Sequence, residues 1–220
     1  EFAATSYADE SVFAGLSNVE SIKGTLANGI SQTLTFNGNI DTTIIDASAA
    51  GNTILNLNAG YTNATTVKLG ADTTNADVIV NGGATAANID LTVTATDTGS
   101  FDAATSITGG TGTDTINVTN VAATDAMVLT NATFIDVINL TDFTTGLDVT
   151  ITGGTNAATP LTVNATSMDT GEVLTADFAL ATGGVTINAG GGADILTGGT
   201  VNDTIYGNAG VDTIDGQENS

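Results

Sequence analysis

Residues 189–215 read AGGGADILT, GGTVNDTIY and GNAGVDTID, three consecutive blocks of nine residues, followed by the fragment Gly216 to Ser220. Each block places an aspartate sixth (Asp194, Asp203, Asp212) and a large aliphatic eighth (Leu196, Ile205, Ile214). The first six residues are a glycine-rich loop, whose backbone reaches torsions closed to other residues, so that peptide oxygens can turn inward. The last three are a short strand, in which the eighth side chain faces one way and its neighbours the other. One aliphatic residue per strand makes a core too thin to stand alone, so successive blocks must stack into a solenoid. Carboxylates and carbonyls are hard oxygen ligands, and the chain has neither Cys nor His to offer a softer metal. Calcium suits such loops, because it takes six to eight oxygens in flexible geometry while magnesium demands an octahedron.

The rest of the chain obeys the same economy. From Thr33 onward short alternating runs recur every ten to twelve residues or so, among them Leu34-Thr35-Phe36, Ile54-Leu55-Asn56-Leu57, Thr66-Val67-Lys68-Leu69 and Val78-Ile79-Val80. Thr115-Ile116-Asn117-Val118, Val137-Ile138-Asn139-Leu140, Val149-Thr150-Ile151, Leu161-Thr162-Val163, Val173-Leu174 and Val185-Thr186-Ile187 continue the series up to the nonapeptides. Pro160 precedes one of these runs, where a strand start tolerates it. Helical periodicity is nowhere sustained, so the chain is all-β. Aromatic residues are only 5%, with no Trp, which suits a thin stacked core of Ile, Leu and Val better than a sandwich. The expected fold is therefore a parallel β-solenoid or β-roll over 33–188, continuing into the nonapeptide roll at 189–220, with 1–32 as a cap or irregular segment. Tyr7–Ala14 reads as a short helix or an irregular cap, and Leu16–Lys23 alternates like a strand. Asn and Thr at repeated positions are expected to form hydrogen-bonded ladders between coils.

Charge narrows the partners. Lys23 and Lys68 are the only basic residues against 24 acidic ones, a formal charge of −22. Nucleic acid is not expected as a partner and anionic membrane surfaces are poor ones, since both are held by Lys and Arg. With 41% hydrophobic residues the chain is nonetheless too apolar for a disordered acidic tail. Its carboxylates are better understood as placed for cations, without which stacked acidic loops repel one another. There is no run of 18 apolar residues to span a membrane. No basic segment opens the chain at Glu1-Phe2-Ala3-Ala4, so no signal peptide is read there, and the chain is expected to be an excised piece of a longer protein.

The nonapeptides resemble those of the RTX proteins, secreted calcium-binding repeat proteins with the consensus GGxGxDxUx. The resemblance implies that successive loops alternate between the two edges of a flattened coil, putting Asp194 and Asp212 on one edge and Asp203 on the other. The best calcium site is then expected between two loops, one with Gly190, Gly192 and Asp194, the other with Gly207, Ala209 and Asp212. Asp203, with Gly199, is expected to be weaker, since Val185 occupies the sixth position of the loop before it and Val201 replaces a glycine of its own. A single further copy of the motif, Gly109 to Asn117, marks Gly110, Gly112 and Asp114, with Asp102 in the nearest candidate partner loop. Asp41, Asp77 and Asp90 lie in turns where Asn and Asp serve for reasons of their own.

Catalysis finds little support. Without His, Cys or Arg the usual bases, thiol nucleophiles and oxyanion clamps are missing, and the acids sit mainly in turns. The expected role is structural. Acidity, lack of cysteine and abundance of Thr, Ala, Asn and Gly resemble bacterial surface-layer proteins of RTX type. That likeness implies type I secretion, calcium-driven folding outside the cell, self-association into a lattice and possible contact with cell-surface polysaccharide. An RTX adhesin stalk and a calcium-binding secretion module of an exported enzyme remain open alternatives.

Overall fold

The computed structural model describes residues 105–110, 112–119, 127–141, 148–153 and 160–217, together with strands at 2–3, 21–25, 32–36, 44–47, 53–57, 65–69, 78–81 and 91–95. Every one of these strands pairs in parallel. A ten-stranded sheet runs in the order β1 (Phe2–Ala3), β2 (Ser21–Thr25), β4 (Ile44–Ala47), β6 (Thr65–Leu69), β8 (Leu91–Ala95), β10 (Thr115–Thr119), β12 (Val137–Thr141), β14 (Leu161–Asn164), β16 (Val185–Asn188) and β18 (Thr204–Tyr206). A nine-stranded sheet holds β3 (Gln32–Phe36), β5 (Thr53–Leu57), β7 (Val78–Asn81), β9 (Ser106–Thr108), β11 (Met127–Thr133), β13 (Val149–Gly153), β15 (Leu174–Asp177), β17 (Ile195–Thr197) and β19 (Thr213–Asp215). β1 pairs with β2; from β2 onward even strands stack on even and odd on odd, so each coil gives one strand to each sheet. This is the expected β-solenoid, and no helix occurs among the described residues.

The spacing of the runs along the chain is thus half a coil. Whole coils vary in length: the step from Gln32 to its neighbour Thr53 is shorter than the step from Ile79 to its neighbour Ser106. Only at the end does the coil close to two nonapeptides, where Thr186 meets Thr204 and Ile195 meets Thr213. Loops at the edges absorb the difference while the strands keep register. Of residues 1–32, Ser21–Thr25 form β2 and pair with β4; the helix considered near Tyr7–Ala14 falls outside the described residues.

The core lies between the sheets and follows from alternation. Ile116 and Val118 of β10, Ile138 and Leu140 of β12, Val149 and Ile151 of β13 and Val185 and Ile187 of β16 are all buried, two residues per strand. In the three-residue strand β17 only Leu196 faces inward, as the nonapeptide spacing predicts. Ile205 packs partly against the core, and Ile214, at the same position of β19, is half-exposed. Met168 and Phe178, both buried, fill the edges of the coil just below the nonapeptides.

On the outward side of the even sheet the register brings Asn117, Asn139, Asn164 and Asn188 into one column. Each amide nitrogen donates to the amide oxygen one coil below: Asn139 to Asn117, Asn164 to Asn139 and Asn188 to Asn164, all at 2.8 Å. The expected ladder exists, and Thr119 with Thr141 (3.0 Å) and Thr133 with Thr108 (3.2 Å) add shorter ones. Asn164→Ala breaks two rungs at once. At a net ~1 kcal/mol per hydrogen bond, thermal melting should show a loss of about 2 kcal/mol, or roughly 4–8 °C for a chain of this size.

Candidate metal centre

The loops at 189–194 and 207–212 precede β17 and β19, which pair, so both lie on one edge of the coil. The loop at 198–203 precedes β18 and lies on the other edge, in the second sheet. The alternation implied by the RTX likeness is therefore present.

What fixes these loops is a use of aspartate that recurs along the stack. The sixth-position carboxylate reaches one coil back and accepts the peptide N–H at the corresponding position there. Asp212 Oδ1 accepts from the Asp194 N–H at 3.0 Å, and Asp194 Oδ1 from the Leu174 N–H at 2.8 Å. Asp203 Oδ1 likewise accepts from the Val185 N–H at 2.8 Å. These N–H groups stand at loop ends, where the sheet ladder has not begun, and a charged acceptor is the strong way to satisfy them.

Backbone approach explains the glycines. A Cβ on Gly192 would run into the Glu172 carbonyl oxygen of the coil below, and one on Gly210 into the Gly192 carbonyl oxygen. Gly210 also has φ +123°, a conformation that disfavours any side chain. Carbonyls thus stack against bare backbone from coil to coil at the fourth position. Gly190 sits over Met168, and its carbonyl receives the Ala209 N–H at 3.4 Å. Asn208, at φ 63°, ties the upper loop down through its amide nitrogen, which donates to the Ala189 carbonyl at 2.6 Å.

One oxygen in this arrangement stands apart. Asp194 is 1% exposed, and its Oδ2 is buried with no hydrogen-bond partner. Burial pushes its carboxyl pKa upward; the Leu174 amide opposes that, the Asp212 charge adds to it, and the field of the Gly190 amide opposes it again. A buried, unmatched carboxylate oxygen beside a second carboxylate is costly until a cation reaches it. The donors are all hard oxygens, so the residues fit calcium. Among the described residues no three His, Cys, Asp or Glu side chains gather together. Asp194 and Asp212 would hold the ion, and peptide carbonyls of loops 190–194 and 207–212 would supply the remaining oxygens.

Residues 188–219 match the RTX calcium-binding nonapeptide repeat, in four copies. The RTX repeat family binds calcium, and calcium is the cofactor of this array. The match covers the stacked loops just described and leaves residues 1–187 outside it. No curated protein and no solved structure matches the chain.

The other expected ligands lie elsewhere along the stack. Both oxygens of Asp203 are engaged by amides, Oδ2 accepting the Gly199 N–H at 2.8 Å as Oδ1 accepts that of Val185. Gly199 packs over the Ala181 carbonyl, which also takes the Thr200 N–H at 2.9 Å and hydroxyl at 3.0 Å. Asp203 acts as a staple between coils. In the middle of the chain Asp114 is fully buried and its Oδ2 accepts the Gly110 N–H at 2.6 Å. The next coil covers this loop with the short turn Phe134–Asp136, in which Asp136 Oδ2 accepts the Asp114 N–H at 2.8 Å. On that side the loop that carries Gly110 and Gly112 meets Phe134–Asp136 in place of a glycine-rich loop. Asp102, like Asp41, Asp77 and Asp90, lies outside the described residues.

Sequence reading passed over Gly210, Glu172 and Asp136. Glu172 is 1% exposed and its Oε2 accepts the Asp169 N–H at 2.7 Å, holding the loop beneath Gly192. Gly210 stands at the fourth position of its block, where the consensus glycine was the available signal. Asp136 follows Asp114 by one coil, a separation that means nothing until the length of that coil is known.

Proposed function

We propose that this chain is a calcium-organised structural module of an exported, bacterial surface-layer type RTX protein. It is non-catalytic, folds outside the cell where calcium is abundant, and associates with its own copies in a lattice, with cell-surface polysaccharide as a further partner. The observation that supports the reading is the buried Oδ2 of Asp194, unpartnered between two stacked RTX loops. In low cytosolic calcium such a site stays empty and its carboxylates repel, which keeps the chain loose enough for export. About millimolar calcium fills sites of extracellular modules, and folding then follows location. The four carboxylates of 189–215 (Asp194, Asp203, Asp212, Asp215) meet no basic residue in that segment.

Calorimetry and electron microscopy of the 220-residue chain test this. Calcium should bind with an affinity at least about tenfold above that for magnesium, since the loops offer flexible oxygens and no octahedral cage. On adding calcium, ordered two-dimensional sheets should appear. A chain that binds calcium yet sediments as a monomer at every concentration would sink the lattice role and favour the adhesin stalk.

A further inference from the structure

The odd sheet carries a trough of about 570 Å³ on its outward side. It lies where β11 breaks register, with Thr130, Asn131, Ala132 and Thr133 in its lining. Met127–Leu129 and Ala132 pair with β13 and Asn131–Thr133 pair with β9, with a register shift between Leu129 and Ala132. Ser106, Thr108, Thr130, Thr133 and Thr152 line it. Asn131 and Asp177 add an amide and a carboxylate, and Ala179 and Leu180, the latter 75% exposed, complete the lining with Ala132.

We infer that this trough binds an uncharged oligosaccharide. Each hydroxyl both donates and accepts, and the Asn131 amide does the same with separate atoms, so the lining suits a ligand dense in groups of the same dual kind. The volume lies in the range of small-ligand sites. Strands of neighbouring coils repeat roughly 4.8 Å apart, close to the length of one pyranose unit, so a glycan lying across the strands meets a fresh hydroxyl at each coil. Leu180 and Ala179 give the C–H face of a sugar ring an apolar surface. The trough contains one carboxylate and no cation, in a chain of charge −22, so acidic polymers are repelled and the ligand is neutral. Asp177 Oδ1 is held by the Ala179 N–H at 3.0 Å, which leaves Oδ2 to receive a sugar hydroxyl.

This assignment deepens the polysaccharide part of the proposed function and is independent of its calcium part. The test uses the calcium-loaded chain and saturation-transfer NMR with maltotriose, laminaritriose, mannotriose and xylotriose, with tri-galacturonate as the acidic probe. At least one neutral trisaccharide should bind and tri-galacturonate should not. Thr152→Val and Leu180→Ser, both surface changes that should leave the circular dichroism spectrum unaltered, should each weaken binding by about tenfold, the equivalent of one lost contact of ordinary strength. No binding by any neutral probe, or binding indifferent to both substitutions, would overturn the assignment. Calcium calorimetry on the same samples reports separately on the metal centre, so failure of one reading is told apart from failure of the other.

Discussion

Withdrawing calcium with EGTA should lower the melting temperature by about 5–10 °C for each ion lost. An ion present at a hundred times its dissociation constant stabilises the folded state by about 2.7 kcal/mol, and a chain of this size shifts by roughly 2–4 °C per kcal/mol. The loss should be local. Coils built from β10 to β14 bury two aliphatic residues per strand and are braced by the asparagine column. Strand β17 buries Leu196 alone, worth about 1.5–3 kcal/mol, and β19 leaves Ile214 half-exposed. Against that small gain stand Asp194, Asp203, Asp212 and Asp215 without a neighbouring cation in the segment. Amide hydrogen exchange should therefore accelerate from Leu174 to Asp215 while the amides of Ile116, Ile138 and Val163 remain protected. Equal melting curves and equal exchange with and without EGTA would refute the role given to the ion.

Much of this architecture could be read from the letters because the nonapeptide is a physical unit. Six residues of loop and three of strand place Leu196 inward and, with the two-edged coil that the RTX likeness implies, bring Asp194 and Asp212 to one edge. The runs upstream announced their strands by alternation, as Thr115-Ile116-Asn117-Val118 did for β10. Strand β9 escaped notice because Ser106-Ile107-Thr108 carries a single aliphatic residue, although Ile107 is fully buried. Val173-Leu174 was read as a strand, whereas β15 runs on to Asp177 with Ala176 as its second inward residue, too small to register as an apolar signal. The pairing of Asp114 with Asp136 was hidden for a different reason. Coils of unequal length keep strand register by varying their edge loops, so partners one coil apart have no fixed spacing to search for. The register break within β11, beside which the trough lies, is likewise something alternation does not reveal.

Asp194→Asn should change sign with the metal, raising the stability of the calcium-free chain at neutral pH and lowering that of the calcium-loaded one. The asparagine oxygen can still accept the Leu174 N–H, so the staple between coils survives. What disappears is a negative charge that is buried, has an unmatched Oδ2 and faces Asp212. Calcium affinity should fall by about tenfold or more, since the charge of the ligand set is the main lever on calcium binding. The pH dependence follows from the raised pKa of Asp194. A carboxyl whose folded value lies above its unfolded one favours folding while protonated, so that advantage is complete below the ordinary carboxylate range and is lost as pH climbs through the raised value. Without metal, the wild type should thus fall progressively behind the Asp194→Asn variant as pH rises, and the two should converge in acid. With calcium the order should invert, because the ion binds the ionised carboxylate and gains affinity as the proton leaves. Chemical denaturation of both proteins at several pH values, in EGTA and in calcium, gives four curves. If the substitution destabilises the metal-free chain at neutral pH, Asp194 belongs to the fold for the hydrogen bond alone and its second oxygen is not held for a cation.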